Sequence, residues 1–537
     1  MVDTLTRPDQ PTDPNLADMS SRARAWLLAV ACLDVLMVIA SMVALNAALP
    51  DIALDTSASQ TQLTWVVDGY TLVLACLLLP AGAVGDRYGR RGALLAGLVI
   101  FGLASVAPIV FDSPLQIILA RAVAGAGAAF IMPATLSLLT AAFPKSERNK
   151  AVGIWAGVAG SGAVVGFLGT GTLLHFFNWQ SIFWAFAIGA LALFALTCTI
   201  RSSRDETGKP VDWIGGVLIA AAVAVFVFGV IEAPARGWSH PSVWGCMAVG
   251  LTLTAAFTAV QLRRRYPLLD VRLFRRPDFA TGAIGITCLF AANFGFFFVV
   301  MQYMQLVLEY TPLQTAFALV PLAIPVLVLG ATTHLWLPRT GLRNAVMFGL
   351  ILIAAGLLCM RTLAVDSSFL DLAWPLLIIS AGIGLCTAPT TSAIMGAVPD
   401  DKQGVASAVN DTTREVGAAL GIAAAGSVLA AQYQHLLAPS VAALPEAIRG
   451  PALDSLAQAM AVAERSGPAG SDLAGAAQTA FLSAMDVSMT VLAVALLAAG
   501  LFIGLWSPGR DGRQFRLVRR WRSGPRARRV RIAARDL

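Results

Sequence analysis

Six ionisable residues stand inside stretches that are otherwise apolar: Asp34, Asp68, Arg121, Asp411, Arg414 and Glu415. A charge at mid-bilayer costs about 2.5–3.5 kcal/mol on the insertion scale. Such residues therefore face a protein interior or water, and by default mark ion, proton or substrate pathways. Each has a plain structural alternative. Asp34, a third of the way along its apolar run, either takes up a proton or makes a buried hydrogen bond. Asp68, near one end of the next run, either gates proton entry or snorkels at the interface. Arg121 stays charged, so it either holds a nearby carboxylate ionised or forms a static pair. Asp411, Arg414 and Glu415 are three and four residues apart, which makes them neighbours on one helix surface. Arg414 then neutralises one carboxylate and leaves the other to titrate or meet a cation, or the three form a self-satisfied ion cluster.

A second group of charges lies between two apolar runs, in Gly82-Ala-Val-Gly-Asp-Arg-Tyr-Gly-Arg-Arg91. Asp86, Arg87, Arg90 and Arg91 place this stretch at a membrane face. Gly82, Gly85 and Gly89 permit a tight backbone and close helix approach. It is either a topology signal or a charge latch between helices.

The elements that carry these residues are membrane spans. Of 537 residues 57% are hydrophobic and only 13% charged, against about 25% in soluble proteins. The basic residues sit in short loops and one tail, which argues against nucleic-acid binding. The seven cysteines all lie inside apolar runs and read as small hydrophobes. The four histidines are scattered, with no metal-binding spacing. No nucleophile, metal or acid–base set indicates an enzyme, and no cofactor is expected. Apolar runs long enough to cross about 30 Å of hydrocarbon fall near 26–49, 63–85, 92–111, 115–142, 150–173, 180–200, 213–232, 242–262, 280–308, 313–337, 343–362, 372–397, 404–434 and 485–506. About fourteen spans are therefore expected in an all-α integral membrane protein.

The tails and alternate loops hold 32 of the 38 lysines and arginines. By the positive-inside rule both termini are expected in the cytoplasm. Residues 1–25 read as a disordered N-tail. Residues 507–537 form a basic tail, with Arg510–Arg535 resting on anionic lipid. The outer segment 435–484 has room for short amphipathic helices. Pro338-Arg-Thr-Gly-Leu-Arg343 echoes the first charged loop, Arg339 matching Arg87, Gly341 matching Gly89 and Arg343 matching Arg91. The echo divides the chain into a six-helix half (26–200), two inserted helices with basic flanks (201–279), and a second six-helix half (280–506). In such two-half architectures the substrate site lies at mid-membrane between the halves.

Residues Gly82–Arg91 resemble the signature loop of the major facilitator superfamily at every defining position. Fourteen spans with two inserted helices resemble its drug:proton antiporter-2 family, and within it the quaternary-ammonium-compound efflux pumps. The likeness is carried by Trp65-Val-Val-Asp-Gly-Tyr70, Leu269-Asp-Val-Arg-Leu-Phe-Arg-Arg276 and Ala408-Val-Asn-Asp411 leading to Glu415. The resemblance implies proton-driven export of amphipathic cations by alternating access in a bacterial cell membrane, with Arg121 as a proton-coupling arginine. The expected partners are drugs, protons and lipid; a monomer is expected. An exporter of an endogenous lipid, siderophore or antibiotic would look the same, and a non-transporting receptor or scaffold is the remoter alternative.

The sequence also departs from that family. Ser41 stands where the first span usually carries an aspartate ahead of its Ala-Leu-Pro; here Ala48-Leu49-Pro50 is present and Asp34 lies two turns earlier. In the fifth span Gly166 is followed by Phe167 instead of proline. Val326 takes the place of an acid that assists dications in some of these pumps. Trp155, Phe290, Phe294, Phe297, Met301, Gln302 and Tyr303 are the expected substrate-pocket side chains, because aromatic and sulfur-bearing surfaces accept varied cations.

Overall fold

The structure is a computed structural model that describes residues 19–56, 60–111, 113–203, 210–398, 402–442, 444–465 and 470–509. The expected N-tail up to residue 18, the loop charges Arg204 and Lys209, and the arginine-dense segment 510–535 lie outside the described residues. Among the described residues every regular element is helical. In chain order these are α1 (Ser21–Ala44), α2 (Leu49–Thr56), α3 (Gln60–Tyr88), α4 (Arg90–Val110), α5 (Pro114–Ala142), α6 (Lys145–Phe176), α7 (Gln180–Thr197), α8 (Trp213–Arg236) and α9 (Pro241–Arg263). There follow α10 (Pro277–Gln302), α11 (Pro312–Ala318), α12 (Val320–Ala331), α13 (Thr333–Cys359), α14 (Phe369–Ala397), α15 (Gln403–Val441), α16 (Glu446–Asp454), α17 (Leu456–Arg465) and α18 (Ser471–Trp506).

Fourteen of the described segments are long and apolar enough to cross a membrane, the tenth made of α11 and α12 together. Local chemistry sets their ends. Ser20 caps α1 by accepting from the Ala23 amide at 3.2 Å. Asp212 caps α8 through the Gly215 amide at 3.0 Å. Pro114, Pro241, Pro277 and Pro312 open helices where a missing N–H costs nothing.

The helices pack in two sets with the same pairings. In the first, α3 and α4 lie on α5, α4 also lies on α7, and α1 lies on α5, α6 and α7. In the second, α12 and α13 lie on α14, α13 also lies on α18, and α10 lies on α14, α15 and α18. The sets meet along two equivalent seams, α3 against α15 and α6 against α12. Helix α8 lies over the first seam, touching both α3 and α15, while α9 packs mainly on α8. Only 17% of the apolar window of α9 is buried, against 72% for α1 and α6, so α9 is a lipid-facing helix.

Both charged loops are tighter than the sequence implies. Helix α3 runs through Asp86 and Arg87 to Tyr88, and α4 begins at Arg90, so only Gly89 breaks the helix. Its φ of +117° is open to glycine and strained for other residues. Gly341 breaks α13 in the same way at φ +74°. The last long helix also starts earlier than its apolar run, at Ser471 instead of residue 485. The preceding segment holds amphipathic α16 and α17, to which α15 is tied by the Tyr433 hydroxyl donating to the Ala452 carbonyl at 3.1 Å.

Candidate functional site

At one end of the α3–α15 seam, Asp86 is buried and accepts four hydrogen bonds or ion-pair contacts. Arg90 approaches Asp86 Oδ1 through Nε at 2.9 Å and Nη2 at 2.8 Å. From the other helix set, the amides of Gly404 and Val405 donate to Oδ1 at 2.9 Å and to Oδ2 at 3.1 Å. Gly404 and Val405 are the second and third residues of α15, a helix with no side-chain cap of its own. Asp86 therefore caps α15 from across the seam and meets the positive end of its dipole. The approach is possible because Gly82 and Gly404 have no Cβ; one built on Gly404 would lie 2.6 Å from Asp86 Oδ1. Arg90 is held in turn by the Ser203 hydroxyl at 2.8 Å, and Arg91 donates to the Ile200 carbonyl at 3.0 Å. Arg87 lies apart from this set, near the Tyr88 ring.

Arg121 is buried between α1, α3 and α5. It donates to the Val66 carbonyl at 3.2 Å, the Ser41 hydroxyl at 2.9 Å and the Ser41 carbonyl at 2.9 Å. Its guanidinium carbon lies 4.2 Å from the centroid of the Tyr70 ring. Tyr70 in turn donates to the Val38 carbonyl at 3.1 Å. Gly125, one turn after Arg121, touches the Tyr70 backbone and allows α3 and α5 to close this distance. The expected carboxylate partner is not there: among the described residues Arg121 makes no ion pair. Ser41, in the place of the resembled family's aspartate, supplies a neutral acceptor instead.

Asp411, Arg414 and Glu415 sit on α15 where it faces the other helix set, and all three are buried. Arg414 Nη1 is 3.9 Å from Asp411 Oδ1, and Nη2 reaches the Thr391 hydroxyl at 3.4 Å. Its guanidinium carbon lies 5.1 Å from the Trp155 centroid on α6 and 5.0 Å from the Phe290 centroid on α10. Asn410 donates to Asp411 Oδ1 at 3.0 Å. Glu415 lies within electrostatic range of Tyr70, so the cluster adjoins the Arg121 site. Several buried atoms here lack a hydrogen-bond partner among the described residues: Asp411 Oδ2, Glu415 Oε2, and Nε and Nη1 of Arg414. Native interiors rarely leave such atoms bare, which singles this cluster out as the candidate site. Close contacts of Gly417 and Gly421 with the backbone of α10 hold α15 against Phe290.

The other expected site residues are placed elsewhere. Asp34 is fully buried beside the Thr197 hydroxyl of α7, with neither oxygen in a hydrogen bond of ordinary geometry. Asp68 points away from Arg121, because Val66 and Tyr70, two residues either side, take the opposite helix face. It lies instead within electrostatic range of Glu232 on α8, which is paired with Arg236. Trp65 stacks on Phe228 of the same helix at 5.7 Å. Thus Asp34 and Asp68 do not join one cluster with Arg121, Asp411 and Glu415. Among the expected pocket residues, Trp155 and Phe290 reach Arg414, and Phe294 stacks on Phe290 at 6.0 Å. Phe297 packs on Phe296, Met301 packs against the core, and Gln302 donates to the Phe298 carbonyl of its own helix at 3.0 Å. Tyr303 is buried, with its hydroxyl donating to the Ala364 carbonyl at 2.8 Å. Val326 packs against the α6 glycines, its side chain close over Gly160.

Sequence reasoning passed over Tyr70, Ser41 and Glu232 as site residues. Tyr70 had a readable signal, lying in the Trp-Val-Val-Asp-Gly-Tyr stretch. Ser41 had one too, since it stands where the resembled family carries an aspartate, whereas Glu232 had none, because its meaning lies in a partner on another helix.

Comparison with known proteins agrees with this architecture. The model of the Major Facilitator Superfamily matches residues 31–422. The chain is 32% identical to the multidrug resistance protein Stp of Mycobacterium tuberculosis over 80% of each chain. It is 32% identical to the multidrug efflux pump LfrA of Mycolicibacterium smegmatis over 90% of this chain and 96% of that one. It is 30% identical to the tetracenomycin C resistance and export protein of Streptomyces glaucescens over 89% and 91%. Among solved structures, the human organic anion transporter MFSD10 superposes with a TM-score of 0.57 at 13% identity, covering 89% of this chain and 99% of that one. A bacterial Spinster homologue, inward-facing and unoccupied, gives 0.56 at 17%, covering 90% and 98%. At these identities the structural likeness concerns the fold.

Proposed function

The chain belongs to the major facilitator superfamily, and from that premise we propose that it is a proton-coupled exporter of amphipathic cationic drugs. It works by alternating access in the cell's cytoplasmic membrane, with both termini in the cytoplasm. The halves are residues 26–200 and 280–506, with 201–279 inserted between them. The observation that carries this reading is the buried charge cluster of α15, which lies where the two helix sets meet and keeps carboxylate oxygens free of partners. A buried carboxylate needs a proton, a cation or hydrogen-bond donors. Asp411 and Glu415 can therefore exchange a proton for a cation, which is the requirement for antiport. The relatives named as multidrug pumps support export as the direction.

In this cycle Asp86 holds α15 against α3 in one state and releases it in the other. Arg121 keeps α1, α3 and α5 together and presents Tyr70 toward Glu415. Inward proton flow supplies about 2.3 kcal/mol per charge per 100 mV, plus the pH term. Asp34 and Asp68 serve as separate proton-binding positions, since neither shares the central cluster.

The test is transport into inverted vesicles under an imposed pH gradient. Ethidium should accumulate and the gradient should collapse faster in its presence. If neither happens, the cationic-drug reading is lost. Arg121→Ala should abolish gradient-driven accumulation while the protein remains inserted. Asp34→Asn should change the pH dependence of transport; an unchanged profile returns Asp34 to a structural role. One observation favours a second reading, the relative named for tetracenomycin C resistance and export. Under it the cargo is a single antibiotic, and competition assays with uncharged antibiotics would then inhibit more strongly than ethidium.

A further inference from the structure

Among the described residues three arginines are buried, and they are held very differently. Arg90 has two contacts to Asp86 and one to Ser203, all at 2.8–2.9 Å. Arg121 has three hydrogen bonds at 2.9–3.2 Å. Arg414 is as deeply buried, yet it has one hydrogen bond at 3.4 Å and one ion pair at 3.9 Å, and its Nε and Nη1 donate to nothing. Its main neighbours are ring faces, Trp155 from one helix set and Phe290 from the other. A guanidinium has five donors, and a permanent structural arginine would use more of them. Cation–π contact, worth about 0.5–2 kcal/mol, makes no demand on donors. Beside it, Asp411 Oδ2 and Glu415 Oε2 remain without partners.

Two aromatic faces and two carboxylates form a receptor for a cation whose charge is delocalised or shielded. Resting on the cation-export reading, we infer that Arg414 is an internal stand-in for the cargo. Its guanidinium occupies the seat formed by Trp155, Phe290, Asp411 and Glu415. A quaternary ammonium or phosphonium substrate takes that seat when Arg414 swings out, and Arg414 returns to displace it. Weakly hydrated charge is the property that arginine shares with such cations and lysine does not. Because Trp155 and Phe290 come from opposite helix sets, the seat is complete only when the sets are together.

The test is equilibrium binding of tetraphenylphosphonium to the purified full-length protein, together with its transport in proteoliposomes. Arg414→Gln should bind the probe at least tenfold more tightly than the unmodified protein and release it more slowly. Adding Phe290→Leu to Arg414→Gln should remove most of that gain. Arg414→Lys keeps the charge but loses the flat, weakly hydrated group, and should bind several-fold more tightly than the unmodified protein. It also guards against poor folding of Arg414→Gln. If the unmodified protein transports the probe but neither arginine variant binds it more tightly, the stand-in role is wrong and the export reading survives. If the unmodified protein neither binds nor transports it, both fall together.

Discussion

Where α3 meets α15, the contact ends in a buried carboxylate that bonds to Arg90 and to two amides of the opposite helix. Where α6 meets α12, the contact is close backbone packing of Gly153 and Gly157 on Gly330 and Val326. The sequence echo that relates the two turns carries Pro338 in the place of Asp86, and Arg339 there donates to the Leu335 carbonyl of its own helix. The backbone device is shared, as the positive φ of Gly89 and Gly341 shows. The polar device belongs to one seam. Both seams pack glycine against backbone, Gly82 on Gly404 in one and Gly153 on Gly330 in the other, so what sets the first apart is a charge-assisted hydrogen bond that is lost on a small separation. One seam is thus suited to switch and the other to pivot.

The largest expected effect follows from removing the carboxylate. Asp86→Asn breaks the buried ion pair with Arg90 and weakens the cap on α15, a defect of about 3 kcal/mol. Ethidium transport in inverted vesicles should fall more than tenfold, while Pro338→Ala should stay within twofold. Similar losses at both turns would erase the asymmetry. Next in size is crowding of the seams. Gly404→Ala and Gly153→Ala both force a methyl into occupied space, costing about 1–3 kcal/mol in thermal stability. Only Gly404→Ala should expose a cysteine placed at Ala83 to an impermeant maleimide; labelling in both variants would make the seams alike. Gly89→Ala and Gly341→Ala should each cost about 1–2 kcal/mol, and nearly equally, since both place a Cβ at positive φ. A large difference between their melting midpoints would mean that the backbone turns are not equivalent. Ser203→Ala, which removes only the support behind Arg90, should cost about 0.5–1.5 kcal/mol and slow transport slightly. A tenfold loss there would move the latch from Asp86 to the Arg90–Ser203 contact.

The sequence made the helices visible because each span announces itself in its own twenty residues. It also marked which charges are buried, since Arg121 or Asp411 in hydrocarbon has no cheap alternative. It did not reveal partners. The Asp86–Gly404 bond joins residues 318 apart in sequence, and no periodicity links them. The expectation of a carboxylate for Arg121 failed for the same reason: Ser41 satisfies the guanidinium with its hydroxyl and its carbonyl, and only the packing of α1 on α5 discloses this. Asp68 was legible as unusual, but its orientation toward α8 depended on which face of α3 the inserted helix covers. The charged turns read as loops because glycine and arginine dominate them, yet a single glycine in each completes the reversal.

Helix α15 has 39 residues and, at 1.5 Å per residue, a length of about 58 Å, nearly twice the hydrocarbon thickness. Its first turn carries the amides that bind Asp86, its first third carries Asp411 and Arg414, and Tyr433 toward its far end is fastened to α16. A rod of this length pivoting at its midpoint by about 10° moves each end by about 5 Å in opposite directions. Letting go at one face is then the same mechanical event as pulling on the strap at the other, with leverage that comes from length alone.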